Sequence, residues 1–313
     1  MAAGLPVLIK RFQRLAAAPS NPIIFKILHT KMIHHCSSFV FAVLVFVAAI
    51  AATSTSVHSK ETLIITGTGT SIGTMRLMAA EFRKQQPSIT VIILPSIGSN
   101  GGIMAVNKNK IDIGLSSRRL KPEEQGMGIM EEPYGRTAVI FGVQASNPVK
   151  GFTLGEIEEV SSGKRKAWSD GTPIRLILRP QSDTFSEYLA RINSTLKSAS
   201  AKALSIPGVF VGITDQDAAD QIERTAGSFG ITSAALISSE NRKIKALSID
   251  DISPTPANVS AGVYPYTVIL SLVYKRDKCK GAVKSFLEFV FSRDGRQVLL
   301  KNGHVSVSRS IGR

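Results

Sequence analysis

The sequence has few of the side chains on which metal sites and nucleophilic enzymes most often depend. It contains five histidines and two cysteines among 313 residues, and beyond residue 59 only His304 and Cys279 are left. A zinc site needs several such ligands, and a serine or cysteine nucleophile needs a neighbouring base. We therefore expect no metal, no cofactor and no catalytic residue. His304 is predicted to lie at the surface, and Cys279, without a partner thiol, to pack in a helical stretch.

Aromatic residues and dense runs of charge are also scarce. Aromatic side chains make up 6% of the chain, and 38 basic against 23 acidic residues give a formal net charge of +15 that is spread along the sequence. A platform for stacking bases, or a basic stripe along a phosphate backbone, needs these residues to be concentrated. We therefore expect no nucleic-acid partner. A diffuse positive charge does, however, attract small anions.

Nucleotide-binding and acid–base motifs are incomplete. The glycine-rich segment TGTGTSIG (66–73) places its third glycine one position too late for a dinucleotide fingerprint, and no acidic residue ends the following predicted strand. A phosphate-binding GK[ST] loop does not occur. The acidic pairs at 123–124, 131–132 and 158–159 are typical of solvated helix or loop faces rather than of acid–base dyads. These features favour a protein that is not an enzyme.

The N-terminal region carries an uncharged segment at 37–52. Its continuous apolar core, residues 39–52, is 14 residues long, which is shorter than the about 20 that a helix needs to cross a bilayer. Val57 and Ser59 then provide a −3, −1 pair for a signal peptidase. This pattern predicts a signal segment over 1–59, cleavage after Ser59, and export to the periplasm or the medium. The alternatives are an uncleaved anchor, and a start at Met32 instead of Met1.

Short apolar runs alternate with helical patterns along the rest of the chain. Residues 62–66, 89–94 and 111–115 are predicted to be buried strands. Between the first two, residues 75–82 place Met75, Met78, Ala79 and Phe82 on one face of a helix. This alternation predicts an α/β fold with largely parallel strands.

Two positions are predicted to divide the chain into lobes. The first is the turn-rich segment at 145–148, and the second is Tyr264, before a strand that returns to the first lobe. Trp168 and Tyr264 are assigned to the core and the hinge rather than to a ligand. The predicted limits are 60–144 plus 264–313 for lobe 1, and 145–263 for lobe 2.

Three loops share one physical design. TGTGTSIG (66–73), SIGSNGG (96–102) and RPQSDTF (179–185) each follow a predicted strand and open a predicted helix. The first turn of a helix has free N–H groups and a partial positive charge, so it favours a bound anion. Such loops gather at the carboxyl ends of parallel strands. Because the three loops fall on both lobes, the sequence predicts a small anion held between the lobes.

Five segments resemble, in the same order, the phosphate-binding proteins of ABC transporters, which belong to the type II periplasmic binding protein superfamily. They are TGTGTSIG, SIGSNGG, IDIGLSSR, TLGEIEEVSSGKRKAW and ERTAGSFGI. The resemblance runs from about Leu63 to the C-terminus. It implies a two-lobed type II periplasmic-binding-protein fold with two interlobe crossings and no catalysis. The implied function is capture of phosphate or a related tetrahedral oxyanion, by a monomer, for an ABC transporter permease.

The resemblance also implies which residues bind the ligand. Ser71 and Ser99 match the hydroxyl residues of the first two loops. Ser117 stands where many members carry an aspartate that accepts the proton of hydrogen phosphate, and Arg118 beside it is a source of positive charge. The residues that match the arginine and the Ser-Gly-Thr segment of the third loop are Arg179, Ser182, Asp183 and Thr184.

Asp183 replaces the glycine of that segment, and two interpretations stay open. A carboxylate at this position repels a fully ionised oxyanion but accepts a hydrogen bond from a protonated one. Alternatively, Asp183 caps the following helix and points to solvent. Two functional alternatives also stay open. One is another oxyanion, such as molybdate, sulfate or a phosphonate, and the other is a sensory or interaction module that uses the fold without a transporter.

Overall fold

The computed structural model describes residues 61–206 and 209–307. The predicted signal segment, its cleavage after Ser59 and the alternative start at Met32 lie outside the described residues. In the described part of the chain, no helix is both long enough and apolar enough to cross a bilayer.

The strands are short except for two that run through the centre of the fold. They are β1 Glu61–Gly67, β2 Ile89–Ile93, β3 Ile113–Ser116, β4 Ile129–Gln144, β5 Gly151–Phe152, β6 Arg175–Leu178, β7 Phe210–Val211, β8 Ser228–Ser233, β9 Ile244–Ala246, β10 Ser248–Ile249, β11 Thr267–Lys275 and β12 His304–Ser306.

Helices connect most of these strands. They are α1 Gly69–Gln85, α2 Gly98–Asn107, α3 Pro122–Gln125, α4 Leu154–Ser161, α5 Thr184–Ile192, α6 Ser194–Ala203, α7 Asp215–Arg224, α8 Ala234–Ser239, α9 Pro256–Ser260, α10 Gly281–Val290 and α11 Arg293–Lys301.

The main sheet is mixed, with parallel strands toward both edges. Its order is β2-β1-β3-β11-β4-β8-β6-β7, and β9 and β12 pair with β4. The strand β1 is parallel to β2 and β3, and β6 is parallel to β7 and β8. The two long strands, β4 and β11, are antiparallel to their neighbours. Helical crossovers between parallel strands are the α/β arrangement that the alternation predicted, so the fold class is confirmed. The prediction of largely parallel strands was wrong, because the central strands β4 and β11 are antiparallel to their neighbours.

The strand β4 connects two groups of strands. Its residues 129–138 pair with β11, and residues 139–142 pair with β8. Its last residues also pair with β9. One group therefore contains β1, β2, β3 and β11, and the other contains β6, β7 and β8. The lobe limits at 144/145 and 263/264 stay a prediction.

A hydrophobic core lies between the sheet and its helices. The predicted apolar face of α1 is buried, with Met75, Met78 and Phe82 at most 1% exposed. The Phe82 ring meets the Phe286 ring of α10 edge to face, with the ring centroids 5.3 Å apart. Such a pair adds about 0.5–1.5 kcal/mol beyond the burial of its area. Trp168 and Tyr264 are buried as well.

The prediction for His304 was wrong. It begins β12, which pairs with β4, and its side chain is fully buried. Its Nε2 lies 2.8 Å from the Thr74 hydroxyl oxygen, whereas its Nδ1 has no hydrogen-bond partner among the described residues. Burial lowers the pKa of His304 to about 3, so the ring is neutral near pH 7. His304 is buried because β12 pairs with β4, a strand far away in the sequence. The polarity of the residues next to His304 does not indicate this pairing.

The acidic pair at 131–132 was also misassigned. Both residues lie in β4 rather than on a solvated helix or loop face. Glu132 is 8% exposed and accepts a hydrogen bond from the Tyr274 hydroxyl. Glu131 is ion-paired with Arg119, with the nitrogen and oxygen 3.2 Å apart. Each of these two carboxylates thus has a partner inside the fold.

Candidate functional site

Two glycines bring the first loops of the fold into backbone contact. Gly67 ends β1, and a Cβ atom at this residue would lie 2.1 Å from the carbonyl oxygen of Leu115 in β3. A Cβ at Gly102 of α2 would lie 2.9 Å from the Cα of Gly67. Only glycine permits so close an approach. The ends of β1 and β3 and the first turns of α2 therefore meet at one place.

Three buried hydroxyl groups converge at that place, one after each of β1, β2 and β3. Thr68 Oγ1 lies 3.2 Å from Ser117 Oγ, and the hydroxyl oxygens of Ser99 and Ser117 are 3.1 Å apart. The Ser117 backbone N–H donates to Ser99 Oγ at 3.0 Å. Each of the three residues is at most 6% exposed. The structure thus brings the predicted Ser99 and Ser117 together.

Ser71 does not join this group. It lies inside the first turns of α1, and its Oγ accepts a hydrogen bond from the hydroxyl of Tyr134 at 2.7 Å. Both residues are fully buried, and burial raises the pKa of Tyr134. The hydroxyl of the first loop that reaches the strand ends is that of Thr68. Thr68 is the N-cap residue of α1, and its position directly after the strand was the signal that could have identified it.

A carboxylate occupies the N-terminal end of α1. Asp215 is the first residue of α7, and its Oδ2 accepts from the Thr70 backbone N–H at 2.9 Å and from Thr68 Oγ1 at 3.5 Å. A Cβ at Gly69 would lie 2.6 Å from this oxygen. Burial raises the pKa of Asp215 to about 6, against the opposing effect of Arg179. Sequence reasoning missed Asp215, which is 145 residues from Thr70.

Arg179 lies between two carboxylates. Its Nη2 is 2.8 Å from Asp183 Oδ2 and 3.4 Å from Asp215 Oδ1. Its Nη1 donates to the carbonyl oxygen of Gly212 at 2.8 Å. The Arg179 side chain is 3% exposed. When both carboxylates are ionised, this group of three side chains carries one net negative charge.

Asp183 has the cap of the second interpretation but not its orientation toward solvent. It is the N-cap of α5, and its Oδ1 accepts from the Phe185 backbone N–H at 2.9 Å. The cap interpretation is thus confirmed in its hydrogen bond. Its orientation was wrong, because the carboxylate faces Arg179 rather than solvent and is 15% exposed. The predicted helix begins at Thr184, the next residue.

The second and third loops approach each other through Asn100 and Ser182. The side-chain amide of Asn100 donates to the carbonyl oxygen of Ser182 at 3.5 Å. Asn100 also accepts from Arg118 Nε at 2.7 Å. Arg118 in turn donates to both carboxylate oxygens of Glu124 at 2.7 Å, and this hydrogen bonding lowers the pKa of Glu124. The positive charge predicted at Arg118 is therefore compensated by Glu124, six residues further along the chain.

A cavity of about 240 Å³ opens beside Ser117 and Thr184. It lies between β4, β11, the segment after β3, and α5. Four arginines line it, and one of its lining residues is acidic. Besides Ser117 and Thr184, the lining residues are Arg118, Arg119, Arg136, Glu187, Tyr188, Arg191, Thr267, Val268 and Ile269.

Among residues 61–206 and 209–307, no three or more histidine, cysteine, aspartate or glutamate side chains are placed to hold a metal ion. What the strand ends do offer is hydroxyl groups, helix N-termini and arginines. This chemistry suits an oxyanion.

Comparison with known proteins gives concordant matches. A family model described as the PBP superfamily domain matches residues 52–294. The phosphate-binding protein PstS of Bacillus subtilis is 26% identical over 249 residues, which cover 74% of this chain and 76% of that protein. PstS 2 of Streptococcus pneumoniae is 32% identical over 114 residues, which cover 36% of this chain and 38% of that protein.

Solved structures share the fold. A Clostridium perfringens protein, described as a phosphate ABC transporter substrate-binding protein with bound phosphate, superposes with a TM-score of 0.68. It is 22% identical, and the match covers 79% of this chain and 100% of that one. An ABC-type phosphate transport receptor from Vibrio cholerae superposes with a TM-score of 0.55 at 20% identity, covering 78% of this chain and 99% of that one.

Proposed function

The chain belongs to the family described as the PBP superfamily domain. From that premise we propose that it captures phosphate, or a related tetrahedral oxyanion, for an ABC transporter. The names of its PstS relatives support this ligand, and the fold it shares with phosphate-binding proteins supports this mode of action. The proposed role is binding without catalysis. It includes export across a membrane, action as a monomer, and delivery of the ligand to a permease.

One observation carries the proposal: three strand ends present hydroxyl groups and helix N-termini to the same small region. Thr68 Oγ1 and Ser99 Oγ each lie within hydrogen-bonding distance of Ser117 Oγ. An oxyanion bound there would accept from these hydroxyls and from the first N–H groups of α1 and α2. Such bonds to a charged acceptor each contribute about 1.5–3 kcal/mol. Because they converge, they favour a compact ligand with oxygens on several sides.

The opposite side of the proposed site comes from the third loop. Arg179 and Thr184 would supply a cation and a hydroxyl from residues 145–263, the predicted second lobe. Two contacts already join the loops of the two predicted lobes, Asn100 with Ser182 and Thr70 with Asp215. They support a cleft that closes between the lobes on its ligand. Of the predicted site residues, Ser71 would act through its contact with Tyr134 and not by touching the ligand.

The test is isothermal titration calorimetry of the purified protein with phosphate, sulfate and molybdate. Phosphate is expected to bind most tightly. Ser99→Ala removes one hydroxyl from the convergence point and is expected to weaken phosphate binding about ten- to a hundredfold, since 1.4 kcal/mol is a factor of ten. The matched control is Ser205→Ala, because Ser205 is exposed and lies beyond the end of α6.

Three results would contradict parts of the proposal. If none of the three oxyanions binds at millimolar concentration, the proposed capture of phosphate or a close relative of it is wrong. If sulfate or molybdate binds more tightly than phosphate, the ligand is wrong although the class of function stands. If Ser99→Ala binds phosphate as tightly as the unmodified protein and Ser205→Ala do, the convergence point is not the binding site.

A further inference from the structure

The cavity beside Ser117 and Thr184 is larger than a single phosphate needs. Its volume is about 240 Å³. One phosphorus and four oxygens fill only part of that space. A ligand that used the whole cavity would carry a second group beyond the tetrahedral head.

The charges that line the cavity indicate what that second group is. Two of the four arginines are compensated, because Arg118 is ion-paired with Glu124 and Arg119 with Glu131. The other two, Arg136 and Arg191, form no ion pair with any residue that the structure describes.

Arg136 is also short of a hydrogen-bond acceptor. Its Nε is buried in β4 and makes no hydrogen bond among the described residues. A buried N–H without an acceptor costs about 1–3 kcal/mol, and more when the group is charged. Arg191 lies at the C-terminal end of α5, on another wall of the same cavity. Glu187 is the single acidic lining residue, and one carboxylate cannot neutralise the charges of both Arg136 and Arg191. The cavity therefore keeps a net positive charge, which an anionic group on a ligand would pair.

We propose that Arg136 and Arg191 form a second anion subsite, so that the cleft takes a ligand with two anionic groups. The class comprises a diphosphate, or a phosphate ester or phosphonate that bears a second acidic group. Its tetrahedral head would lie at the hydroxyls of Ser99 and Ser117, and its second group would reach Arg136 and Arg191. This inference rests on the proposed oxyanion function and extends it to a larger ligand.

The experiment compares orthophosphate with pyrophosphate by isothermal titration calorimetry on the whole protein. Pyrophosphate is expected to bind at least tenfold more tightly. Arg136→Gln and Arg191→Gln are each expected to lower the affinity for pyrophosphate about tenfold more than the affinity for orthophosphate. Arg136→Lys, which keeps a positive charge, should lose less affinity for pyrophosphate than Arg136→Gln does. The control is Arg224→Gln, since Arg224 is exposed on α7 and does not line the cavity.

Thermal melting of each variant separates misfolding from lost binding, and the exposed Arg191 keeps the test informative if Arg136→Gln does not fold. The inference is overturned if pyrophosphate binds no more tightly than orthophosphate, or if Arg191→Gln weakens both ligands equally. If only orthophosphate binds, the inference fails while the proposed function stands. If only pyrophosphate binds, and does so through both arginines, the inference stands and orthophosphate is not the ligand. If neither binds, both fail.

Discussion

Replacing Asp215 by asparagine should strengthen oxyanion binding, and more so at higher pH. In the structure the Asp215 carboxylate accepts the Thr70 N–H and the Thr68 hydroxyl, which are donors that a bound oxyanion would use. It also shares Arg179 with Asp183. An ionised Asp215 thus competes for the donors and repels the ligand. Asparagine removes the charge and leaves Arg179 with a single carboxylate.

The size of the effect follows from the geometry. A ligand oxygen that shared the Thr70 N–H with Asp215 Oδ2, which lies 2.9 Å from that nitrogen, would lie about 4 Å from the carboxylate. Two unit charges at that separation interact by about 4 kcal/mol at an effective dielectric constant of about 20. Solvent in the cleft screens part of this energy. We expect a gain of about ten- to a hundredfold in affinity at pH 7.5.

The pH dependence identifies the cause. The pKa of Asp215 is raised to about 6, chiefly by burial. At pH 5 the unmodified protein therefore already carries a mostly protonated Asp215, and the advantage of Asp215→Asn should nearly vanish. Calorimetry with phosphate at pH 7.5 and pH 5 measures the ratio of the two dissociation constants. The same pair of titrations with sulfate, whose charge does not change between these pH values, separates the protonation of Asp215 from that of phosphate.

Asp217→Asn is the matched control. Asp217 lies two residues further along α7, is exposed, and takes part in the N-terminal capping of that helix. It should change affinity by less than a factor of about three, because exposed charges interact weakly across solvent. If Asp215→Asn binds phosphate more weakly than the unmodified protein, Asp215 holds the loops together or accepts a ligand proton, and the competition argument is wrong. An advantage of equal size at pH 5 and pH 7.5 would also refute it.

Two further predictions concern stability. His304 has a folded pKa of about 3, below its ordinary value of 6.5, so its contribution to the free energy of unfolding is present above pH 6.5 and is lost as the pH falls from 6.5 toward 3. His304→Gln keeps a polar partner for Thr74. Between pH 7 and pH 4.5 its melting temperature in scanning calorimetry should therefore fall less than that of the unmodified protein, and an equal fall would contradict the role given to His304. Tyr134→Phe deletes the hydrogen bond to the buried Ser71 and should lower the free energy of unfolding by about 1 kcal/mol in urea titration; no loss would show that the bond contributes nothing net.

The periodic parts of the sequence were sufficient to predict some elements of the fold, among them β1, β2 and α1. Met75, Met78 and Phe82 recur at helical spacing, and the structure buries all three in α1. Similarly, loops that follow a strand and open a helix were identifiable, because glycine and hydroxyl residues mark the end of the strand and the start of the helix. Ser99 and Ser117 come together in the structure for that reason. Local pattern thus predicted where these strands end and two of the three hydroxyls that converge there, whereas the third, Thr68, was not predicted.

The partners of the charged residues could not be predicted in this way. Arg179 was expected to face the ligand with its full charge, yet Asp183 and Asp215 share it. Asp215 looks like any acidic residue in the first turn of a helix, and its role arises from a contact with Thr70. Arg118 was likewise expected to supply charge, but Glu124 accepts from both of its terminal nitrogens. Long-range pairing of this kind leaves no periodic signature in the chain.

The interior position of His304 has the same origin. A lone histidine near the C-terminus is most often solvated, and no neighbouring residue indicated otherwise. Its burial depends on β12 pairing with β4, where His304 lies opposite Thr137. That pairing joins segments more than a hundred residues apart. The spacing of apolar residues indicates local helices and strands, so it does not predict pairing between segments this far apart in the chain.

The position of β11 in the sheet has a consequence for the order in which the protein folds. This strand lies between β3 and β4, although about 150 residues separate it from β3 in the chain. The first three strands therefore cannot be joined to the centre of the sheet until residue 275 has been synthesised. Contacts of such long range form slowly, because the loop that they close is costly in entropy. For a chain proposed to be exported, this delay leaves the N-terminal half of the chain without its completed sheet during most of its synthesis. In that state the chain is still able to pass through a membrane channel in extended form.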